Sequence, residues 1–360
     1  VQTCALPIFS VFKSIRNSGQ SQGQLAGLPG SGCRRRLSCP RRSNFRGFSR
    51  IQRNTSGLDW MHWVKGPFCL VAGRGDCVGR IALLLIMSAA GCWAASAEWV
   101  RGHELYLRTE YEQSLAVLLA VKTPDADTLQ LIGQNYFMMT EYRKATEFLE
   151  KAAVGNPKSA EAALWLGRAF GRRAETSSPF TAPGYASKAR QMFEKAVALD
   201  PANRDALSDL FDYYLEAPGF LGGGADKAEA LAAKVAQKDP AEGHYYQAQL
   251  AQRRKQYDSA EQHLRTALEL APRQAGRLID LAKFLSIRGS NKESDALFDE
   301  AARIAPESPH LLFERAQAYV KANRNLDEAR RLLQRYLQSP LTPNDPPKSE
   351  AQALLRKLGA

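Results

Sequence analysis

The sequence predicts an all-α fold: a right-handed α-solenoid of about seven helix-turn-helix units with a C-terminal capping helix. Two observations carry that expectation. Similar phrases recur along residues 98–360, among them Ala196-Val-Ala-Leu-Asp-Pro201 and Ala267-Leu-Glu-Leu-Ala-Pro272. The prolines at 157, 201, 240, 272 and 306 follow one another at intervals of 44, 39, 32 and 34 residues. A fixed period of that size means stacked supersecondary units, each burying a face that it cannot bury alone.

Units are expected to start near residues 95, 126, 160, 204, 241, 275 and 309, with the first and last divergent as solenoid ends usually are. In the second unit the pattern reads Leu129, Ile132, Gly133 and Tyr136, then Ala145, Leu149, Ala152 and Pro157. In the third, Leu166, Gly167 and Phe170 are followed by Ala189, Phe193, Ala196 and Pro201. Small residues at 133, 145, 167 and 189 let two helices approach closely, and the aromatics Tyr136, Phe170, Tyr214 and Tyr319 fill the space beside them. Proline closes each second helix because it cannot continue one. After the last unit, Asp345-Pro346 is expected to cap and start a helix whose apolar face is Ala351, Leu354, Leu355 and Leu358, stopped by Gly359.

The 34-residue unit with these positions resembles the tetratricopeptide repeat. The resemblance covers about 250 residues and implies a non-catalytic scaffold for protein-protein interaction. Two units are longer than the repeat. Ten extra residues lie within Arg172–Tyr185 and five within Glu216–Gly224, both at the turn between the helices of their unit. These insertions, with the phrase Ala217-Pro-Gly-Phe-Leu-Gly-Gly-Gly224, are similar to those of uncharacterised exported bacterial members of the family. Equivalent turns of a solenoid share one edge, so the two loops are expected to be neighbours.

Composition divides the chain. It has 49 Lys+Arg against 37 Asp+Glu, but residues 1–97 hold 13 of the basic residues and only two acids, Asp59 and Asp76. That leaves 36 basic and 35 acidic residues in 98–360, so the array offers no general basic surface for nucleic acid. All six Cys lie before residue 98, which excludes thiol chemistry and Cys-based metal sites after it. Residues 1–77 are expected to be non-native or disordered. Their Arg- and Ser-rich, acid-poor composition also fits a transit peptide or a basic arm, while Val1–Ile8 resembles a translated sequencing adaptor.

Residues 78–97 read as a signal peptide. Arg80 supplies the charge, Ile81–Ala90 the short apolar run, and Ala95-Ser96-Ala97 the cleavage signal. The expected address is periplasmic or secreted, with cleavage after Ala97. The alternative is a lipoprotein, since Ala89-Ala90-Gly91-Cys92 resembles a lipobox and would anchor the chain to a membrane through Cys92. The domain reading is therefore 1–77, signal peptide 78–97, solenoid 98–344 and capping helix 345–360.

Candidate binding residues fall on two surfaces. The concave groove should show Gln130, Gln134, Phe137, Arg168, Asp212, Tyr245, Gln249 and Phe313, a mixture suited to an extended peptide or a partner helix. The inserted loops add Arg172, Arg173, Phe180, Tyr185 and Phe220, on a scaffold edge where binding is common. They could serve a protein, or a small ligand of a receptor or enzyme accessory subunit. No catalytic residue, cofactor or metal site is expected: no P-loop or nucleophile elbow occurs. The histidines His103, His244, His263 and His310 are expected in different units, without a partner at metal-ligand spacing.

Overall fold

In the computed structural model, residues 96–359 are described. They carry fifteen α-helices and one short 3-10 turn, and no β-strand occurs among them. The helices pair as expected: α1 (Ala97–Leu107) with α2 (Tyr111–Leu118), α3 (Ala126–Met138) with α4 (Tyr142–Gly155), and α5 (Ala160–Thr176) with α6 (Ala182–Leu199). Then come α7 (Arg204–Glu216) with α8 (Ala225–Ala236), α9 (Pro240–Arg253) with α10 (Tyr257–Leu270), and α11 (Ala275–Arg288) with α12 (Asn291–Ile304). Finally α13 (Pro309–Lys321) pairs with α14 (Leu326–Gln338), and α15 (Lys348–Lys357) caps the array. The readings of 1–77 and of the signal peptide up to residue 95 lie outside the described residues.

Local chemistry explains the alternation. Six of the seven first helices begin at a side chain that accepts from the backbone N–H three residues on: Ser96, Asp125, Ser159, Asn203, Asp239 and Ser308. Each satisfies one of the orphan donors of a helix start. The second helices have no such caps, because most follow a turn too tight to need one. That turn uses a left-handed residue: Thr109, Thr140, Lys255, Gly289 and Asn323 all have φ between 50° and 86°.

The core lies inside and between the pairs. A Cβ added at Gly133 would lie 2.5 Å from Leu149, and one at Gly167 would lie 2.7 Å from the ring of Phe193. Both partners are fully buried, so these glycines set the separation of the helices. Tyr213, Tyr246, Tyr319, Tyr336, Phe211, Phe298 and Phe313 are among the other large side chains that the stacking removes from water. Among the described residues no helix is long and apolar enough to cross a membrane.

Two expectations are corrected. The first insertion is mostly helix: Arg172–Thr176 extends α5, and Ala182–Tyr185 belongs to α6, leaving a turn of residues 177–181. Nothing in Arg172–Thr176 breaks a helix, so α5 runs on until Ser177-Ser178-Pro179 ends it. The capping helix starts at Lys348, not at Pro346, because Asp345 is used elsewhere. Its carboxylate accepts from the N–H and hydroxyl of Thr342, each at 2.9 Å. Tyr336 then donates to the carbonyl of Pro346. Ala351 is fully buried, and Leu354, Leu355 and Leu358 pack on the same cluster as Tyr336.

Candidate binding surface on the first helices

The first helices of successive units lie side by side, and their polar side chains meet across the seams. Gln134 of α3 donates to Glu161 of α5 at 3.3 Å. Arg168 of α5 donates to Asp209 at 2.5 Å and Asp205 at 3.2 Å, both on α7. Glu216 of α7 pairs with Arg253 of α9 at 3.9 Å. Arg277 of α11 bonds Glu242 of α9 and reaches Asp280 on its own helix at 3.3 Å. Lys283 of α11 pairs with Glu314 of α13. The seams are thus held by ion pairs and hydrogen bonds passed from unit to unit.

Asp212 departs from this order. It lies on the same face of α7 as Asp205, Asp209 and Glu216, three or four residues from its neighbours. It is half-buried, and among the described residues no cation pairs with it. Burial, then Asp209, Glu216 and Glu242, push its carboxyl up to about 8. Asp280 on α11 is pushed up to about 6, by burial against the opposing pull of Arg277 and Lys283. Tyr245 of α9 is half-buried beside them, its phenol raised by Asp280 first, then by burial and Asp212. The Arg277 guanidinium covers that ring at 4.8 Å. Four acids thus share this face of α7, and among the described residues Asp212 is the one with no ion pair.

The candidate groove residues divide accordingly. Phe137 and Phe313 are 3% and 2% exposed and belong to the core. Phe137 meets Trp165 edge-on at 5.5 Å, and Phe313 packs on Tyr336. Gln134 and Arg168 serve the seams just described. Gln130, Asp212, Tyr245 and Gln249 remain half-exposed on the surface. Asp280 and Glu242 are not among the residues that the sequence marks as candidates. The signal that points to them is their place on the next first helices, one seam away.

The two arginines among the candidate loop residues have local partners. Arg172 bonds the Tyr142 hydroxyl at 3.1 Å and Glu175 at 2.6 Å. Arg173 lies over the Tyr185 ring at 4.2 Å and donates to its hydroxyl. Phe180 and Phe220 are 97% and 75% exposed. The second insertion folds as a 3-10 turn, Gly219–Leu221, with Tyr213 donating to the Leu221 carbonyl. It lies against α6, where a Cβ on Gly222 would strike the Arg190 side chain. The second insertion therefore packs on the unit that carries the first.

At the far end of this face, Arg172 lies close enough to Glu350 of the capping helix to oppose the rise that burial causes in its carboxyl. The turn of the first unit (Thr109, Tyr111) faces Leu341–Ser349 across a cavity of about 260 Å³. The chain's C-terminal segment therefore covers part of the inner face.

The family model for the tetratricopeptide repeat matches residues 241–274, which are α9, α10 and their flanks. The same cap, tight turn and small-residue contact recur in the units around it. Residues 241–274 are therefore a tetratricopeptide repeat, and the helix pairs around it share its architecture. Solved structures with a similar fold include a thermophilic repeat protein of Thermus thermophilus, at 20% identity and a TM-score of 0.42, covering 52% of this chain and 97% of that one. A tetratricopeptide repeat protein of Parabacteroides merdae is 14% identical with a TM-score of 0.47, over 73% and 98% of the two chains. PilF of Pseudomonas aeruginosa is 18% identical with a TM-score of 0.36, over 63% and 96%. No curated protein matches the sequence. Tetratricopeptide repeats generally serve as non-catalytic scaffolds for protein interaction.

The four histidines require a correction. His244 and His263 are not in different units: both belong to residues 241–274, on α9 and α10, and their Nδ1 atoms are 3.0 Å apart. The short spacings that reveal most metal or catalytic pairs do not apply across a helix turn, so the pair is invisible to motif reading. Among the described residues, no group of three or more His, Cys, Asp or Glu is placed to hold a metal.

Proposed function

We propose that this chain is a non-catalytic interaction scaffold of the bacterial cell envelope, holding a basic segment of a partner protein on its inner helix face. The observation that supports the partner's chemistry is Asp212, a carboxylate raised to about 8 with no cation beside it. A Lys or Arg side chain arriving from a partner would supply the missing charge. Tyr245 offers ring surface next to it, and Gln249 a hydrogen-bonding amide one turn further along α9. Binding would release the proton that Asp212 holds, so affinity should rise with pH until about pH 8, by at most about tenfold per unit.

The test uses fluorescence anisotropy with labelled extended peptides rich in Lys and Arg, against acidic and neutral peptides of equal length. Basic peptides should bind, more weakly at high salt, and Asp212→Asn and Tyr245→Ala should each lose most of the affinity with unchanged helicity. Equal binding of the acidic peptide, or full affinity in Asp212→Asn, refutes the reading. The envelope address rests on the sequence between Val78 and Ala97. Intact mass and N-terminal sequencing from a Gram-negative host separate its two forms: a mature end at Glu98, or an acylated Cys92. An unprocessed chain refutes both.

A second surface is supported by Phe180 and Phe220, whose exposure at the inserted edge suits a protein contact or the small ligand of a receptor. Phe180→Ser with Phe220→Ser tests it: lost partner or ligand binding with intact basic-peptide binding would assign the edge that role.

A further inference from the structure

His244 and His263 face each other across the α9–α10 pair of the fifth unit. Their Nδ1 atoms are 3.0 Å apart, the ring centroids 5.3 Å, and the ring planes inclined by 35°. Both residues are half-buried. Burial, then His244, hold His263 below the ordinary histidine value. Neutral imidazole is the commonest protein ligand of transition metals. As the pair stands, one Nδ1 donates a hydrogen bond to the other. If the donor ring moves its proton to Nε2, both Nδ1 lone pairs point to the space between them, with no net loss of a proton.

Two nitrogens at about 2.0–2.1 Å from a metal are ~3.3 Å apart at a tetrahedral angle and ~2.9 Å apart at a right angle. The observed 3.0 Å is a hydrogen-bond length close to both, so a small movement of the rings lets one metal ion replace the shared proton. Square-planar coordination by nitrogen and oxygen belongs to Cu(II) and Ni(II), and Cu(II) stands highest in affinity among the divalent first-row metals. We propose that His244 and His263 form a two-histidine site for Cu(II), its remaining positions filled by water.

The test titrates Cu(II) into the full chain with its six cysteines alkylated, following electron paramagnetic resonance. One copper per chain should show coupling to two imidazole nitrogens. Ni(II) should bind more weakly, and Zn(II), also below Cu(II) in that order, should not rival it. His244→Gln and His263→Gln should each weaken copper binding at least tenfold and remove the two-nitrogen signal, while His310→Gln keeps both. Circular dichroism at the same pH checks that the variants remain folded. The spectrum of the wild-type protein decides the matter even if a variant unfolds: no bound copper with two imidazole nitrogens overturns the proposal. So does Zn(II) binding tighter than Cu(II), or full copper affinity in the double variant.

Discussion

Replacing Asp212 by Asn keeps the shape of the side chain and removes its charge. The carboxyl is pushed up to about 8 in the folded protein by burial and by Asp209, Glu216 and Glu242, against about 4 in an unfolded chain. Between these two values the folded state holds a proton that the unfolded state has lost, so stability falls as pH rises through that window. With the neighbouring charges fixed, the loss would reach roughly 5–6 kcal/mol at about 1.4 kcal/mol per unit. The neighbouring carboxylates share the strain and take up part of the proton, so about 2–3 kcal/mol is the expected size. Urea unfolding followed by circular dichroism at pH 5 and pH 9 measures it. The wild type should lose that amount between the two, and Asp212→Asn should lose clearly less, ending more stable than wild type at pH 9. Comparing slopes removes any packing change common to both pH values. Equal slopes in the two proteins would show that Asp212 has a partner in solution, and the charge argument for a basic ligand would fall with it.

Gly167→Ala should destabilise by about 1–3 kcal/mol despite the better helix propensity of Ala, because its Cβ would meet the buried Phe193 ring; thermal unfolding reads this. Arg168→Ala leaves Asp209 unpaired at 1% exposure and should cost about 3–5 kcal/mol, with much of that recovered in the double variant Arg168→Ala, Asp209→Ala. Thr140→Gly relieves a β-branched residue at φ 64° and should gain up to about 1 kcal/mol in urea unfolding.

The repeat was legible because its grammar is steric. Gly133 and Gly167 stand where any side chain would collide with Leu149 or Phe193, so their spacing records the helix contacts directly. Boundaries were less so wherever two signals competed. Asp345 has the chemistry of a helix cap but closes a turn on Thr342 instead, and Pro347 sets the helix start. On the candidate surface, one step along a helix turns a side chain by 100°, which separates a groove residue from a core residue. Phe137 and Phe313 fell on the core side of that step, and Tyr245 on the open side. What the linear chain hides is pairing. Arg168 and Arg277 look available for any neighbouring acid, and only the packed seams assign them to Asp209 and Glu242.

That assignment joins stability to function in this array. A solenoid is held mainly by contacts between adjacent units, so a charged seam is balanced chiefly by the two helices that form it. At the α3–α5, α5–α7 and α11–α13 seams the inner polar groups meet in pairs. The α7–α9 seam has Glu216 with Arg253 at its end and Asp212 unmatched nearer its middle. A further arginine there would be the simplest stabilising change, and it would fill the very space that a partner's cation needs. An uncompensated buried carboxylate in an otherwise paired ladder is stability withheld at one seam. The expected outcome is a trade: Asp212→Asn, which stabilises this seam at pH 9, also removes the binding of basic peptides. A variant that gained stability at pH 9 while keeping full affinity for those peptides would break the link between the two.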